Sequence, residues 1–157
     1  MLLFAVIEHG GLGLNLKITV CITIIATTFS TIAHADEIDL KSINIPGVSA
    51  LKAVDFLVDR PIEPRATYVV VALGKGPEGS VVSINTRYSN ASGWVYTTRA
   101  LKCSSGQMKT LGSGETVEGM LKSKSDPSWG PLVSGSSATQ VAEIACTQSG
   151  TRLSGVH

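Results

Sequence analysis

Histidine is almost missing from the part of this chain that would be left to fold. Of the three histidines, His9 and His34 lie in an N-terminal stretch that reads as an export signal, and only His157, the last residue, falls beyond it. A serine or cysteine hydrolase built on a histidine base therefore has one candidate base, expected on a frayed tail. No G-x-S-x-G is present, and the glycine turns Gly74-Lys75-Gly76 and Gly112-Ser113-Gly114 lack the spacing of a phosphate-binding loop. No run of oxygen ligands resembles a calcium loop, and of the three cysteines the two beyond that stretch, Cys103 and Cys146, have no nearby histidines and cannot fill a zinc site. No cofactor is expected. Charge is also scarce: 13 basic and 12 acidic residues leave a net +1, which gives nucleic acid no broad electrostatic handle. Aromatic residues are 5% of the chain, yet 43% is hydrophobic, so global disorder is excluded.

What the chain does have is an address. Residues 18–33, ITVCITIIATTFSTIA, form an uncharged apolar stretch, with Lys17 before it and Ala33-His34-Ala35 after it. A positive start, a short apolar core and a small-x-small exit are the parts of a secretory signal peptide. The run is short of the roughly 20 residues that a spanning helix needs. Cleavage after Ala35 is expected, leaving a single exported domain, residues 36–157, with no stable membrane insertion. Cys21 lacks the small preceding residue of a lipoprotein signal. The first fifteen residues sit oddly before this signal; a start at Leu16, read as an alternative initiation codon, would give a conventional bacterial opening.

After cleavage two cysteines remain, Cys103 and Cys146, in a chain bound for an oxidising compartment, and they allow one intramolecular pairing. Closing a loop on the order of 40 residues is worth roughly 4 kcal/mol in the chain-entropy model. The segments 67–74, 81–89, 94–103 and 107–112 read as strands, and the turns between them are too short for anything but antiparallel neighbours. Residues 36–47 read as a polar lead-in. The stretch 49–58 has Leu51, Val54, Leu57 and Val58 at helical spacing but also alternates Val54, Phe56 and Val58; we read it as a short helix running into a strand. ETVEGMLKSK is either helix or strand. Ser137-Ala138-Thr139-Gln140 matches a capping box before a helix expected to end at Cys146. The expected fold is α+β: an antiparallel meander with a C-terminal helix packed on one face and tethered by the disulfide. In the cysteine strand, Arg99 shares a face with Val95 and Leu101, so either it points inward onto a carboxylate or a bulge shifts the phase.

Four basic residues on adjacent strands, Arg87, Arg99, Lys102 and Lys109, are the candidate binding residues, for an acidic partner. Ser104 and Ser105 beside Lys102 read as turn residues, and the pairs Asp55/Asp59 and Glu115/Glu118 as surface charge.

The runs VDFLVDRPI and YVVVALG, the strand YTTRALKC, and the tail of Trp129, Ser136 and a helix ending in Cys146 resemble the surface-adhesin protein E-like domains of exported bacterial proteins. That resemblance implies an α+β domain with a bridged C-terminal helix and, in some members, attachment to host extracellular-matrix proteins. Ser92-Gly93-Trp94-Val95-Tyr96 also resembles the S-G-x-x-Y loop of periplasmic lysozyme inhibitors, whose serine and tyrosine enter the enzyme's active site. The expected function is that of an exported, non-enzymatic binding protein in the periplasm, on the cell surface or secreted, with an extracellular or envelope protein as partner. The alternatives are a lysozyme inhibitor and, behind it, a small histidine-free hydrolase.

Overall fold

Short connections dictate the topology. Strands joined by a few residues can only turn back beside themselves, and the computed structural model, which describes residues 38–157, shows that arrangement carried through. Its elements are β1 (Ser49–Leu57), β2 (Ala66–Lys75), β3 (Val81–Ser89), β4 (Gly93–Lys102), β5 (Gln107–Gly114), α1 (Val117–Lys122), β6 (Gly130–Pro131) and α2 (Ser137–Gln148). The six strands make one antiparallel sheet in sequence order, β1 to β6. The expected signal, its cleavage site and the possible start at Leu16 lie outside the described residues. Among the described residues no helix is long and apolar enough to cross a membrane.

Strand alternation sorts the interior into clusters. Ala72, Ile84 and Tyr96, on one side of the sheet, are buried with Ile43 and with Met120 of α1. The lead-in expected to be merely polar thus supplies core: Ile38, Leu40 and Ile45 pack against the same cluster. Tyr68 and Val70 are buried with Val58 and with Val141 of α2, and Leu101 with Leu132, Ala142 and Ala145. Each fully buried valine, leucine, isoleucine or methionine among them contributes about 1.5–3 kcal/mol, before entropy is counted.

The disulfide joins Cys103, just beyond β4, to Cys146 in α2, with Cα atoms 5.8 Å apart. Its helix starts one residue earlier than the capping box implied: Ser136 is the N-cap, and its Oγ accepts the Thr139 N–H at 3.2 Å. It also runs two residues past Cys146, to Gln148. The chain end is not frayed. The His157 N–H donates to the Leu132 carbonyl at 3.1 Å, and the His157 carbonyl accepts from Ser134 at 2.7 Å. Ser154 donates to the Cys103 carbonyl, so the tail is tied down beside the bridge.

Two local expectations change. β1 is strand along its whole length, with no helical start. Leu51 packs with the Ala72 cluster, whereas Val54, Phe56 and Val58 pack with Tyr68. The three-residue step from Leu51 to Val54 therefore spans two clusters, and register shifts at Ser49/Lys52 and Ala53/Phe56 break the alternation that would have marked a strand. The segment 115–124, open between helix and strand, forms α1, capped by Thr116 Oγ1 accepting the Gly119 N–H.

Candidate binding site

Two turns meet at one end of the sheet. Between β1 and β2, Arg60-Pro61-Ile62-Glu63-Pro64-Arg65 folds through two successive backbone bonds, Glu63 to Arg60 and Ala66 to Glu63. Prolines at 61 and 64 fix the local backbone and keep the segment out of either strand. Between β3 and β4, the Ser89–Gly93 turn is closed by Ser92, whose N–H reaches both the carbonyl and the Oγ of Ser89. Gly93 sits at φ +68°, where a residue with a Cβ is strained.

Glu63 is the anion at the centre. Its Oε1 accepts from Arg60 Nη2 at 2.8 Å, and its Oε2 accepts from the Tyr68 hydroxyl at 2.5 Å. Those bonds, with the Tyr68 hydroxyl the largest cause, hold the Glu63 carboxyl below its ordinary pKa. Tyr68 moves the other way: burial, then the bond to Glu63, raises its phenol. Arg60 and Arg87 each bring a guanidinium over the Tyr68 ring, 5.4 and 5.6 Å from its centroid. Arg60 also donates to Gln140 of α2 at 2.8 Å, linking this turn to the helix.

Arg87 is steered by two short hydrogen bonds and a longer ion pair. Its Nε donates to the Tyr68 oxygen at 2.9 Å and its Nη1 to Ser92 Oγ at 2.7 Å. Its Nη2 lies 3.8 Å from Glu63 Oε2, beyond hydrogen-bond length. Beside it a pocket of about 320 Å³ is lined by Ile62, Glu63, Pro64, Arg65, Arg87 and Ala91, among others. Arg65 is exposed, and Ile62 is 74% exposed.

The four basic residues expected to form one surface divide between the two sides of the sheet. Arg87 and Arg99 follow the alternation of Tyr68 and Leu101; Lys102 and Lys109 fall on the side of Ala100. Arg99 points inward, as one of the two expectations had it, but onto an amide: its Nη1 donates to Asn85 Oδ1 at 2.5 Å. A bulge exists too, between Thr98 and Arg99, and it takes its extra residue from β5, so β4 keeps its phase. Lys102 donates to Glu78 Oε2 at 2.6 Å and lies 4.3 Å over the Trp129 ring. Glu78 is held below its ordinary pKa, chiefly by Lys102 and more weakly by Lys109.

Arg60, Glu63, Arg65 and Tyr68 escaped the sequence reading. The signal was there: three charges within six residues, interrupted by two prolines, beside a strand tyrosine. Of the S-G-x-x-Y residues, Ser92 is engaged by Arg87 and Ser89, and Tyr96 is 4% exposed within the Ile84 cluster. Of the turn serines and their neighbour Lys102, Lys102 is bound to Glu78 and Ser105 donates to Gln107. Glu118 pairs with Lys122 on α1. Among the described residues no group of three or more histidines, cysteines or carboxylates is placed to hold a metal ion.

No family model matches the chain, and neither does any curated protein or solved structure.

Proposed function

We propose that this chain is an exported, non-enzymatic binding protein of the bacterial envelope or its surroundings, adhesin-like in action, which engages a partner protein through the turn end of its sheet. The observation that carries this reading is Arg87, fixed by Tyr68 and Ser92 while its Nη2, among the described residues, has only the 3.8 Å ion pair with Glu63, on the wall of a pocket that Arg65 also lines. A guanidinium oriented in advance loses less freedom on binding than a mobile one. Export is supported by the signal-like N-terminus and by a disulfide, which belongs to oxidising compartments. In this reading α2 lies across the side of the sheet that carries Tyr68, Val70 and Leu101. The bridge and the Arg60–Gln140 bond hold it there, which leaves the turn end free to meet a partner.

The test has two arms. Cells should yield the protein outside the cytoplasm with Asp36 as its first residue, and that protein should bind immobilised extracellular-matrix protein less tightly as salt rises. Recovery of the uncleaved chain from the cytoplasm, or stoichiometric slowing of lysozyme with no matrix binding, overturns the reading.

A further inference from the structure

The pocket at the turn end has a composition that selects among anions. Its lining residues include two guanidinium groups, Arg65 and Arg87, and one carboxylate, Glu63. Glu63 is already engaged at short range by Arg60 and Tyr68, and it reaches Arg87 only at 3.8 Å. Arginine offers five N–H donors in a planar fork, and Arg87 spends its Nε and Nη1 on Tyr68 and Ser92. Among the described residues Nη2 makes no hydrogen bond, only the longer ion pair with Glu63, and it can donate to an incoming acceptor. Arg65 is exposed and enters no hydrogen bond or ion pair among the described residues. The rest of the lining is one hydroxyl residue, Ser89, and the aliphatic Ile62, Pro64, Ala66 and Ala91, with Ile62 three-quarters exposed.

From this juxtaposition we infer that the pocket is a carboxylate-binding site, and that it takes a glutamate side chain of a partner protein, with an aliphatic neighbour of that glutamate resting on Ile62 and Pro64. A planar carboxylate matches the guanidinium fork of Arg65, can also accept from Arg87 Nη2, and brings one negative charge. A phosphate brings closer to two, which the resident Glu63 carboxylate repels more strongly. The aliphatic lining adds contact area that a bare inorganic anion does not use. The inference rests on the binding reading above and names its ligand.

The test uses the processed protein recovered from exporting cells, labelled for amide spectroscopy. It is titrated with the peptides acetyl-Leu-Glu-Leu-amide and acetyl-Leu-Gln-Leu-amide, with 4-methylpentanoate, and with inorganic phosphate. The glutamate peptide should shift the amides of Arg65, Ala66, Arg87 and Ala91 saturably, and the glutamine peptide should bind about tenfold more weakly, the scale of one charge-assisted pair. Arg65→Gln should lose most of that preference while leaving the rest of the spectrum unchanged, because Arg65 supports nothing else; Arg65→Lys should recover part of it. Equal binding of the two peptides, shifts centred on Lys102 and Lys109, or tighter binding of phosphate would each overturn the inference. So would 4-methylpentanoate binding as well as the glutamate peptide, since the site would then belong to a free acid. Matrix binding that survives while the peptide preference is absent defeats this inference alone; a peptide preference without matrix binding defeats the adhesin-like reading alone.

Discussion

Asn85 on β3 holds the guanidinium of Arg99 on β4, its Oδ1 2.5 Å from Arg99 Nη1, where one of the two expectations placed a carboxylate. Burial pushes the Arg99 pKa below its ordinary value. Its Nε is buried without a partner among the described residues, and so is the Oγ of Ser83 directly opposite. A half-buried cation so thinly compensated adds little net stability, but orphaning one half of the pair is costly. Asn85→Leu alone should destabilise by about 1–3 kcal/mol. The double change Asn85→Leu with Arg99→Met should be close to neutral or stabilising. Denaturant midpoints of the single and double variants check this; additive losses would contradict it.

The Cys103–Cys146 bridge should dominate the stability of the C-terminal third. Cys146→Ser is expected to cost roughly 2–5 kcal/mol. Hydrogen exchange should show α2 and the tied tail, 149–157, opening before β2–β4, because Ser154 hangs on the Cys103 carbonyl. Uniform loss of protection across the sheet would show that the bridge staples the whole domain rather than its end.

Glycine at 112 is required by contact. A Cβ there would overlap the carbonyl oxygen of Met120, so β5 and α1 lie as close as backbones allow. Gly112→Ala should cost about 1–3 kcal/mol through forced backbone shifts. Gly130→Ala, where a Cβ meets nothing within 4 Å, should stay within about 0.5 kcal/mol of wild type. Thermal denaturation of the two variants makes the comparison.

Stability should fall at both ends of the pH range through one linked pair. Glu63 has its folded pKa below the ordinary value of 4.5, so its contribution is present above that value and is lost as pH falls through the folded one. Tyr68 has its folded pKa above the ordinary 10.0, so its contribution is complete below that value and is lost as pH rises through the folded one. Glu63→Gln should remove the acid-side dependence and shift the Tyr68 titration, read from the tyrosine ring signals. An unchanged Tyr68 titration would mean that the bond between them carries no weight.

The meander was legible because loops of a few residues leave antiparallel neighbours no alternative, and the bridge because two cysteines have one pairing. β1 was harder. Its bulges break the period of two, and Leu51 and Val54, three apart, imitate a helix while packing into different clusters. The helix cap was misplaced by one residue because Ser136 and Ser137 are chemically equal, and only the backbone bend chooses between them. The basic residues were visible but their grouping was not. Alternation separates Arg87 from Lys102, and the residues that complete the Arg87 site come from a turn that is distant in sequence. Tyr68 reads as one more core residue until its hydroxyl is seen between Glu63 and Arg87.

Under the proposed function, recognition belongs to the turn end and not to the lysine side of the sheet. The most direct measurement compares two double variants, Arg65→Ala with Arg87→Ala and Lys102→Ala with Lys109→Ala, for binding to immobilised matrix protein across a salt series. The arginine pair should weaken binding by about tenfold or more at low salt and flatten its salt dependence, while the lysine pair leaves both within about twofold. Loss of binding in the lysine variant, with the arginine variant unchanged, would contradict the claim.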